Sequence, residues 1–548
     1  MSSETCKDFD RAMVFLGDYG RFQIQIMVLL SLTAIPCGYM GVLAVFVADT
    51  PAHRCRTWLN STLRDPHGVD SFHGTGPDSC YRYKVDTNRS EPGEPSNGTD
   101  RCVDGWLFST ERYTIVSEWE LVCENAWKVP FSTSMFFVGV LFGSLVGGQL
   151  SDRFGRKRVL FFSIALQSVT TLIQATSVNW VMFCALNCLR GVGHVSTYIS
   201  SLVLGSEMLC ESARITYSLL GQCLAFSIGY ALLPLFAYFI RGWRLLLVAC
   251  AIPGLLFIPT WRVIPESPRW LLQRGRVKEA DMVMRQAAKM NRIQASEIMF
   301  SPGEGSELLQ KPSEDKQMYT FMDLISTANL RNITGLGVFI WLTIIMVFYG
   351  LSLNTSNLKG NIYLNCLISA ATDTVANVST WLLINRVPRP ALLFFTLMFS
   401  GITLLVVKIV PGDMNTTFQV LVLVGKLGVS VAYSFTFVFF TELYPTVVRN
   451  TGLGILSTAG CIGTIVCPYV IYIGIYSKIL PYIIFGSVSI IAAILSLLLP
   501  DTRNCKIPDL ISETKPIQCY CTPKKCPCLQ PSKQQAAKSD ATAPSVDI

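Results

Sequence analysis

Four ionisable side chains stand inside otherwise apolar stretches of the sequence. A charge away from water is costly, so such residues are functional candidates by default. Asp373 and Lys426 are the clearest, with Arg190 and His194 next. Aromatic residues accompany them: Trp341, Tyr349, Tyr433, Phe435, Phe437 and Phe439. A desolvated cation over the faces of such rings gains about 2 kcal/mol, and Asp373 can supply the countercharge. Lys426 either pairs with Asp373 or, without that pairing, meets an anion. His194 is a candidate for proton coupling, although a hydrogen-bonded structural imidazole accounts for it more simply. This is the chemistry of holding a small charged molecule. Catalysis has no matching pattern: there is no nucleophile–base constellation, no metal-spaced histidine set and no cofactor loop. The other histidines, His53, His67 and His73, lie together in one polar segment.

A second set of charges marks the ends of apolar runs. SDRFGRKR contains Asp152, Arg153, Arg156, Lys157 and Arg158. Glu207 is followed seven residues later by Arg214, and Glu442 seven residues later by Arg449. The two pairs are 235 residues apart, and so are Ile264-Pro265-Glu266-Ser267 and Leu499-Pro500-Asp501-Thr502. One register shared by two features points to an internal repeat. Ion pairs among Asp152, Arg153, Arg156, Glu207, Arg214, Glu266, Arg269, Glu442 and Arg449 are expected to hold two halves together when an inner gate is shut.

The elements that must position these groups follow from composition. The chain has 548 residues, 51% hydrophobic and only 15% charged, against about 25% charge in soluble domains. That excludes a disordered chain, a coiled coil and a water-soluble multidomain enzyme. A bilayer-spanning helix needs about 20 mostly apolar residues. Twelve such runs occur, at 22–48, 129–150, 159–177, 179–205, 216–239, 245–263, 332–352, 361–384, 390–410, 418–440, 451–474 and 479–499. None alternates as a membrane strand would, so the expected fold is an all-α membrane protein in two six-helix halves. The expected organisation is a cytoplasmic N-terminus (1–21), a first half (22–263), a cytoplasmic loop (264–331), a second half (332–499) and a cytoplasmic tail (500–548). Parallel halves of this kind place a substrate site near mid-membrane between them.

Orientation follows from basic short loops, which stay in the cytoplasm. SDRFGRKR is one, and the 264–331 loop with its flanks carries eleven Lys or Arg from Arg262 to Arg331. The formal net charge of +8 is largely this signature and carries no nucleic-acid message. The 49–128 segment then faces outside. It holds Cys55, Cys80, Cys102 and Cys123 and the sequons at Asn60, Asn88 and Asn97. An even cysteine count with sequons fits an oxidising, glycosylated ectodomain, and four cysteines leave three pairings open. The tail cysteines Cys519, Cys521, Cys526 and Cys528 suit zinc or acylation. The terminal Val546-Asp547-Ile548 suits carboxylate capture by a PDZ domain.

Several motifs carry a family resemblance. GGQLSDRFGRK (Gly147 to Lys157) resembles the signature loop of the major facilitator superfamily. PESPRWL (Pro265 to Leu271) and TELYPTVVRNTG (Thr441 to Gly452) resemble the solute carrier 22 family. FLGDYGRFQ, TPAHRCR, SEWELVC, LPLFAYFIRGWRLLL and FYGLSLNTSNLKGNIYLNC narrow the likeness to its organic cation/carnitine transporter subfamily. The resemblance covers the whole chain. It implies a plasma-membrane, multi-pass, monomeric carrier of small organic cations or zwitterions working by alternating access, with both termini cytoplasmic. It also raises Tyr198 alongside Trp341 and Tyr349 as substrate contacts, with Tyr433 and Phe437 beside them.

Departures from the subfamily pattern bear on substrate. Cys37 and the Thr197-Tyr198 pair replace runs whose Asn residues are linked with sodium there, and Cys is a poor ligand for a hard cation. Cys37, Thr197 and His194 remain the coupling-ion candidates; no other cofactor is expected. Cys461 stands where an intramembrane Arg is expected, which removes the obvious anchor for a substrate carboxylate. Asp373 keeps a carboxylate where the pattern has Glu. GSEMLCES (Gly205 to Ser212) lacks a phosphate-loop Gly-Lys pair, so no nucleotide site follows. These departures favour simple monovalent cations over carnitine. An organic-anion exchanger, or a receptor or scaffold without transport, are the competing readings.

Overall fold

A computed structural model describes residues 17, 19–56, 80–83, 99–102, 105–293, 324, 327–384, 386–411, 414–445 and 447–502. Twelve long helices occur among them, one on each apolar run. The first six are α1 (Arg21–Gly41), α2 (Lys128–Phe154), α3 (Arg156–Gln174), α4 (Trp180–Glu207), α5 (Leu224–Phe239) and α6 (Trp243–Phe257). The second six are α7 (Ala328–Leu353), α8 (Ile362–Leu383), α9 (Arg389–Val406), α10 (Asn415–Leu443), α11 (Arg449–Tyr472) and α12 (Leu480–Ser496). Lipid offers no partner to a bare peptide group, which is why each run closes its hydrogen bonds internally as helix.

Eight of these helices, extended by their flanking turns, are long and apolar enough to cross a membrane alone. Of the other four, α12 is apolar but short. The remaining three, α3, α4 and α8, carry polar residues on their buried faces. On α4 these are Asn187, Arg190, His194, Ser196, Thr197, Ser200 and Ser201. On α8 they are Asn365, Ser369, Asp373, Asn377 and Thr380, recurring every three or four residues. The polar residues that weaken the span signal of α3, α4 and α8 thus lie on faces packed against other helices.

Within the first half α4 packs between α2 and α3; within the second, α7 packs on α11 and α9 on both α10 and α12. Glycine makes the α2–α4 approach possible. A Cβ on Gly139 would sit 1.9 Å from the Cys188 carbonyl oxygen, and one on Gly191 2.1 Å from that of Phe136. The halves meet along two seams, α2 against α11 and α5 against α8. Just before α5 the chain winds as a π-helix over Tyr217–Cys223. Such a wide turn loosens the carbonyl ladder and frequently marks a functional position.

The side bearing the disulfide-linked loop is called outer here. There β1 (His53–Cys55) pairs antiparallel with β4 (Trp106–Phe108), and β2 (Tyr81–Tyr83) with β3 (Thr99–Arg101). The disulfides are Cys55–Cys102 and Cys80–Cys123, which selects one of the three pairings the sequence leaves open. The loop is fastened to the bundle. Glu118 accepts from Trp243 Nε1 at 2.7 Å and Arg244 Nη2 at 2.5 Å, and Arg112 Nη1 lies 2.8 Å from Asp49 Oδ2. Asn60, Asn88 and Asn97, both chain termini and the tail cysteines lie outside the described residues.

On the inner side the amphipathic helix Val277–Asn291 buries Met284, Ala287 and Ala288. Its Asn291 accepts from the Phe22 backbone N–H at 2.9 Å and donates to Gln23 at 2.8 Å, which pins the start of α1.

Candidate functional site

The intramembrane charges of the second half form one ladder between α8 and α10. Lys426 Nζ donates to Asp373 Oδ2 at 3.0 Å, to Ser369 O at 3.1 Å and to Ser369 Oγ at 2.5 Å. Ser430 Oγ donates to Asp373 Oδ1 at 2.7 Å, and one turn inward Ser434 Oγ donates to Asn377 at 2.5 Å. Lys426, Ser430 and Ser434 recur every four residues, so one face of α10 meets the matching face of α8. Lys426 is 1% exposed and Asp373 4%. The ammonium has used its three protons and both carboxylate oxygens are engaged. Of the two roles open to Lys426, the structure places it in the pair with Asp373. Asp373 is correspondingly not an uncompensated countercharge.

The ladder is tied to the first half. Tyr230 Oη on α5 donates to Ser369 Oγ at 3.0 Å and Ser352 O at 3.3 Å. Asn377 Nδ2 donates to Cys223 O at 3.2 Å and Ser227 Oγ at 3.0 Å. Cys223 closes the π-helical segment, so its carbonyl is open to this cross-half bond. Tyr198 Oη lies 3.9 Å from Cys223 Sγ.

Beside the ladder runs a chain of rings. Trp341 stacks on Tyr433 at 6.0 Å, Tyr433 on Phe348 at 4.4 Å, and Phe437 tilts against Trp341 at 6.3 Å. Phe348 meets Tyr349 edge-on at 5.3 Å, and Tyr349 meets Phe137 of the first half likewise at 5.3 Å. Phe437 is 40% exposed, whereas Phe435 and Phe439 are fully buried packing residues. Trp341, Tyr349, Tyr433 and Phe437 are thus brought together, and Phe348 and Phe137 join them. The sequence reading passed over the last two, although Phe348 stands next to Tyr349.

Cys461 on α11 is nearly buried, and its Sγ lies 3.9 Å from Ser144 Oγ of α2, across the seam. On α1, Cys37 is fully buried and its Sγ donates to the His194 carbonyl at 3.8 Å. Thr197 Oγ1 donates to Gly193 O at 2.8 Å. The three coupling-ion candidates therefore share the α1–α4 interface, with Cys37 and Thr197 each donating to backbone of α4.

The charges at the inner helix ends gather into one cluster in each half. Arg156 pairs with Glu207 at 3.1 Å and Asp152 at 2.7 Å and donates to Ser151 O at 2.9 Å. Glu266 accepts from the Lys157 backbone N–H at 3.0 Å, beneath Gly155, whose φ is +105°. A Cβ there would fall 2.4 Å from Glu266 Oε2. Trp270 Nε1 donates to Asp152 O at 2.8 Å, Arg274 donates to Asp152 O and Arg153 O, and Arg269 lies in the same short helix, Pro268–Gln273. In the second half Arg389 pairs with Glu442 at 3.2 Å, the Arg389 backbone N–H donates to Asp501 at 3.2 Å, and Thr502 Oγ1 donates to Glu442 at 2.6 Å. Arg214 donates to Ser206 O and Leu209 O, and Arg449 to Tyr444 O. The ion pairs of Arg156 and of Arg389 each lie within one half, whereas the expected bridging pairs belong to a shut inner gate. The first-half clamp of Arg156, Glu207 and Glu266 is repeated as Arg389, Glu442 and Asp501. Arg389 was missed because its loop, NRVPRP, stands 233 rather than 235 residues from DRFGRK.

Contacts between the halves reach the outer ends instead. Phe46 stacks on Tyr363 at 5.6 Å, Tyr238 meets Tyr363 at 5.5 Å, and Ser134 Oγ donates to Ile465 O at 2.9 Å. The outer side is the closed side of this arrangement.

Comparison with known proteins supplies the rest. Residues 68–505 match the family model described as "Sugar (and other) transporter". The chain is 45% identical over 532 residues to human organic cation/carnitine transporter 2, covering 92% of this chain and 94% of that protein. It is 44% identical over 530 residues to mouse solute carrier family 22 member 21, covering 93% and 94%. Among solved structures, the partially occluded inward-open xylose transporter XylE of E. coli matches with a TM-score of 0.59 at 16% identity, covering 88% of this chain and 98% of that one. This last likeness concerns the fold alone.

Proposed function

The chain belongs to the solute carrier 22 family of major facilitator transporters, in the branch of the organic cation/carnitine carriers, and from that premise we propose that it carries small organic cations across the plasma membrane by alternating access. One observation supports this most: the ring chain from Phe437 through Trp341, Tyr433 and Phe348 to Tyr349 and Phe137 crosses between the halves. Ring faces attract a desolvated cation without needing a net protein charge. Asp373 and Lys426 cancel each other, and Cys461 offers a substrate carboxylate no guanidinium. Quaternary ammonium compounds are therefore preferred to carnitine, which stays a weaker substrate. The paired state of Lys426 also weighs against the organic-anion exchanger, since of the two cations that reading relies on it leaves only Arg190.

Both termini are cytoplasmic in this proposal, the chain works as a monomer, and its C-terminal carboxylate is offered to a PDZ domain. Cys37 and Thr197 supply one poor and one good ligand for a hard cation, so uptake does not depend on sodium. The test is uptake in cells of a labelled quaternary ammonium without a carboxylate and of labelled carnitine, each with sodium and with an inert replacement cation. The ammonium compound is expected to exceed carnitine, with less than a twofold change on sodium removal. Carnitine in excess, or uptake abolished without sodium, rejects this assignment; inhibition by anionic rather than cationic competitors selects the anion exchanger.

A further inference from the structure

The two intramembrane cations are treated differently by the fold. Lys426 has Asp373. Arg190 on α4 is 4% exposed, and no carboxylate pairs with it among the described residues. Its Nη1 reaches only the thioether of Met40, at 3.8 Å, its Nε has no hydrogen-bond partner, and its Cζ lies over the Phe136 ring at 4.7 Å. A neutral sulfur and a ring face do not balance a guanidinium that cannot shed its proton.

A second donor faces the same ring. His194, one helical turn inward, packs on Phe136 at 5.2 Å and is 5% exposed, with Nδ1 unpartnered. A small cavity in the outer part of the first half adjoins Arg190. Gln174, Asn187, Ser132 and Thr133 line it together with Arg190. Its polar walls are mostly committed: Gln174 Nε2 donates to Asn187 Oδ1 at 3.2 Å, and Asn187 Nδ2 to Ser132 O at 2.8 Å. Arg190 Nε, an unsatisfied donor carrying a whole positive charge beside this largely apolar void, specifies an acceptor that carries negative charge.

We propose that Arg190 is the seat of a monovalent-anion site within the first half, taking a single-atom anion such as chloride as its counter-ion. The site is separate from the aromatic chain of the substrate path, the Phe136 ring standing between Arg190 and the Phe137 end of that chain, and it does not depend on which cation is transported. The bound anion neutralises α4 where that helix packs against α1 and α2, so its presence stabilises the first half.

The experiment is thermal unfolding of the purified full-length chain in lipid nanodiscs, in chloride, bromide, acetate and gluconate at equal ionic strength. Chloride is expected to raise the melting temperature over gluconate saturably, by about 2–4 °C. Arg190→Leu is expected to abolish the difference, and so is Gln174→Glu, which places a carboxylate on the wall of the same cavity. Should Arg190→Leu fail to fold, Gln174→Glu still decides. A response to chloride and bromide alone identifies a single-atom anion as occupant; an equal response to acetate rejects a site of this size. Identical melting in all four salts, or an equal rise in wild type and both variants, overturns the proposal and leaves at most a water joining Arg190 Nε to Gln174 Oε1.

Discussion

Asp373 and Lys426 show how far residue chemistry can be taken from spacing and where it stops. Each stands alone in an apolar run, so each is visible in the sequence as an expensive charge. Their meeting is not visible, because it depends on the rotation of α8 against α10. Once met, the pair has little to offer a substrate and much to lose. Lys426→Met leaves Asp373 buried with only Ser430 as partner, and breaking a buried pair from one side costs about 3–5 kcal/mol. Replacing both partners removes the uncompensated charge. Thermal unfolding in nanodiscs should therefore show a large fall for Lys426→Met or Asp373→Asn alone and a recovery of most of it in the double variant. A double variant as unstable as the singles would mean that the pair does not act as a unit. Cys461 illustrates the converse. Its departure from the family pattern is plain in the sequence, but its neighbour, Ser144 of the other half, is set by how α2 meets α11.

At the scale of elements, all twelve helices are legible as apolar runs, because lipid punishes any unpaired peptide group. The inner clamps are less so. The 235-residue register aligns Glu207 with Glu442 and Glu266 with Asp501, yet a two-residue shift in one loop hides that Arg389 is the counterpart of Arg156. The pairing inside each half has a mechanical meaning. Arg156 joins the head of α3 to the inner end of α4, and Arg389 joins the head of α9 to the inner end of α10. Each half is thereby laced so that it can move as one body, which rocking about a central site requires. Arg156→Ala and Arg389→Ala should reach the cell surface normally and reduce uptake at least tenfold, since each leaves a half-buried glutamate without its guanidinium and unlaces its half. Adding Glu207→Gln to Arg156→Ala should leave uptake low, since neither change restores the link between α3 and α4. Uptake within twofold of wild type in both single variants would show the clamps to be ordinary interfacial charges worth about 0–1 kcal/mol. The π-helical turn at Tyr217–Cys223 had no sequence signal at all; it is fixed by tertiary bonds such as Tyr217 Oη to Ser201 O at 2.9 Å.

For the molecule as a whole, the closed outer side and the tethered loop form one structure. Two disulfides, the Glu118 contacts with α6 and the Asp49–Arg112 pair anchor the loop where α1 leaves the bundle. Asp49 is the titratable part of that anchor. Burial pushes its carboxyl up to about 6, although Arg112 and the Thr50 backbone amide pull it down. The unfolded carboxyl titrates near 3.9, so between about pH 4 and 6 the folded chain binds the extra proton. Stability then falls as pH rises through that window, and above it the cost of keeping the charge buried is present in full. Acidification from pH 7 to pH 5 should stabilise the wild-type chain by an amount on the order of 1 kcal/mol through this group. Asp49→Asn has no charge to bury and should lose that part of the pH response while keeping the rest. Melting curves of both proteins in nanodiscs from pH 7 to pH 5 make the comparison, and parallel responses would show that Arg112 compensates the buried carboxylate fully. Because the docked, buried Asp49 binds its proton more tightly than a solvated one would, the same acid range should hold the loop more firmly against α1, and protease susceptibility of the outer loop should fall below pH 6 in wild type but not in Asp49→Asn.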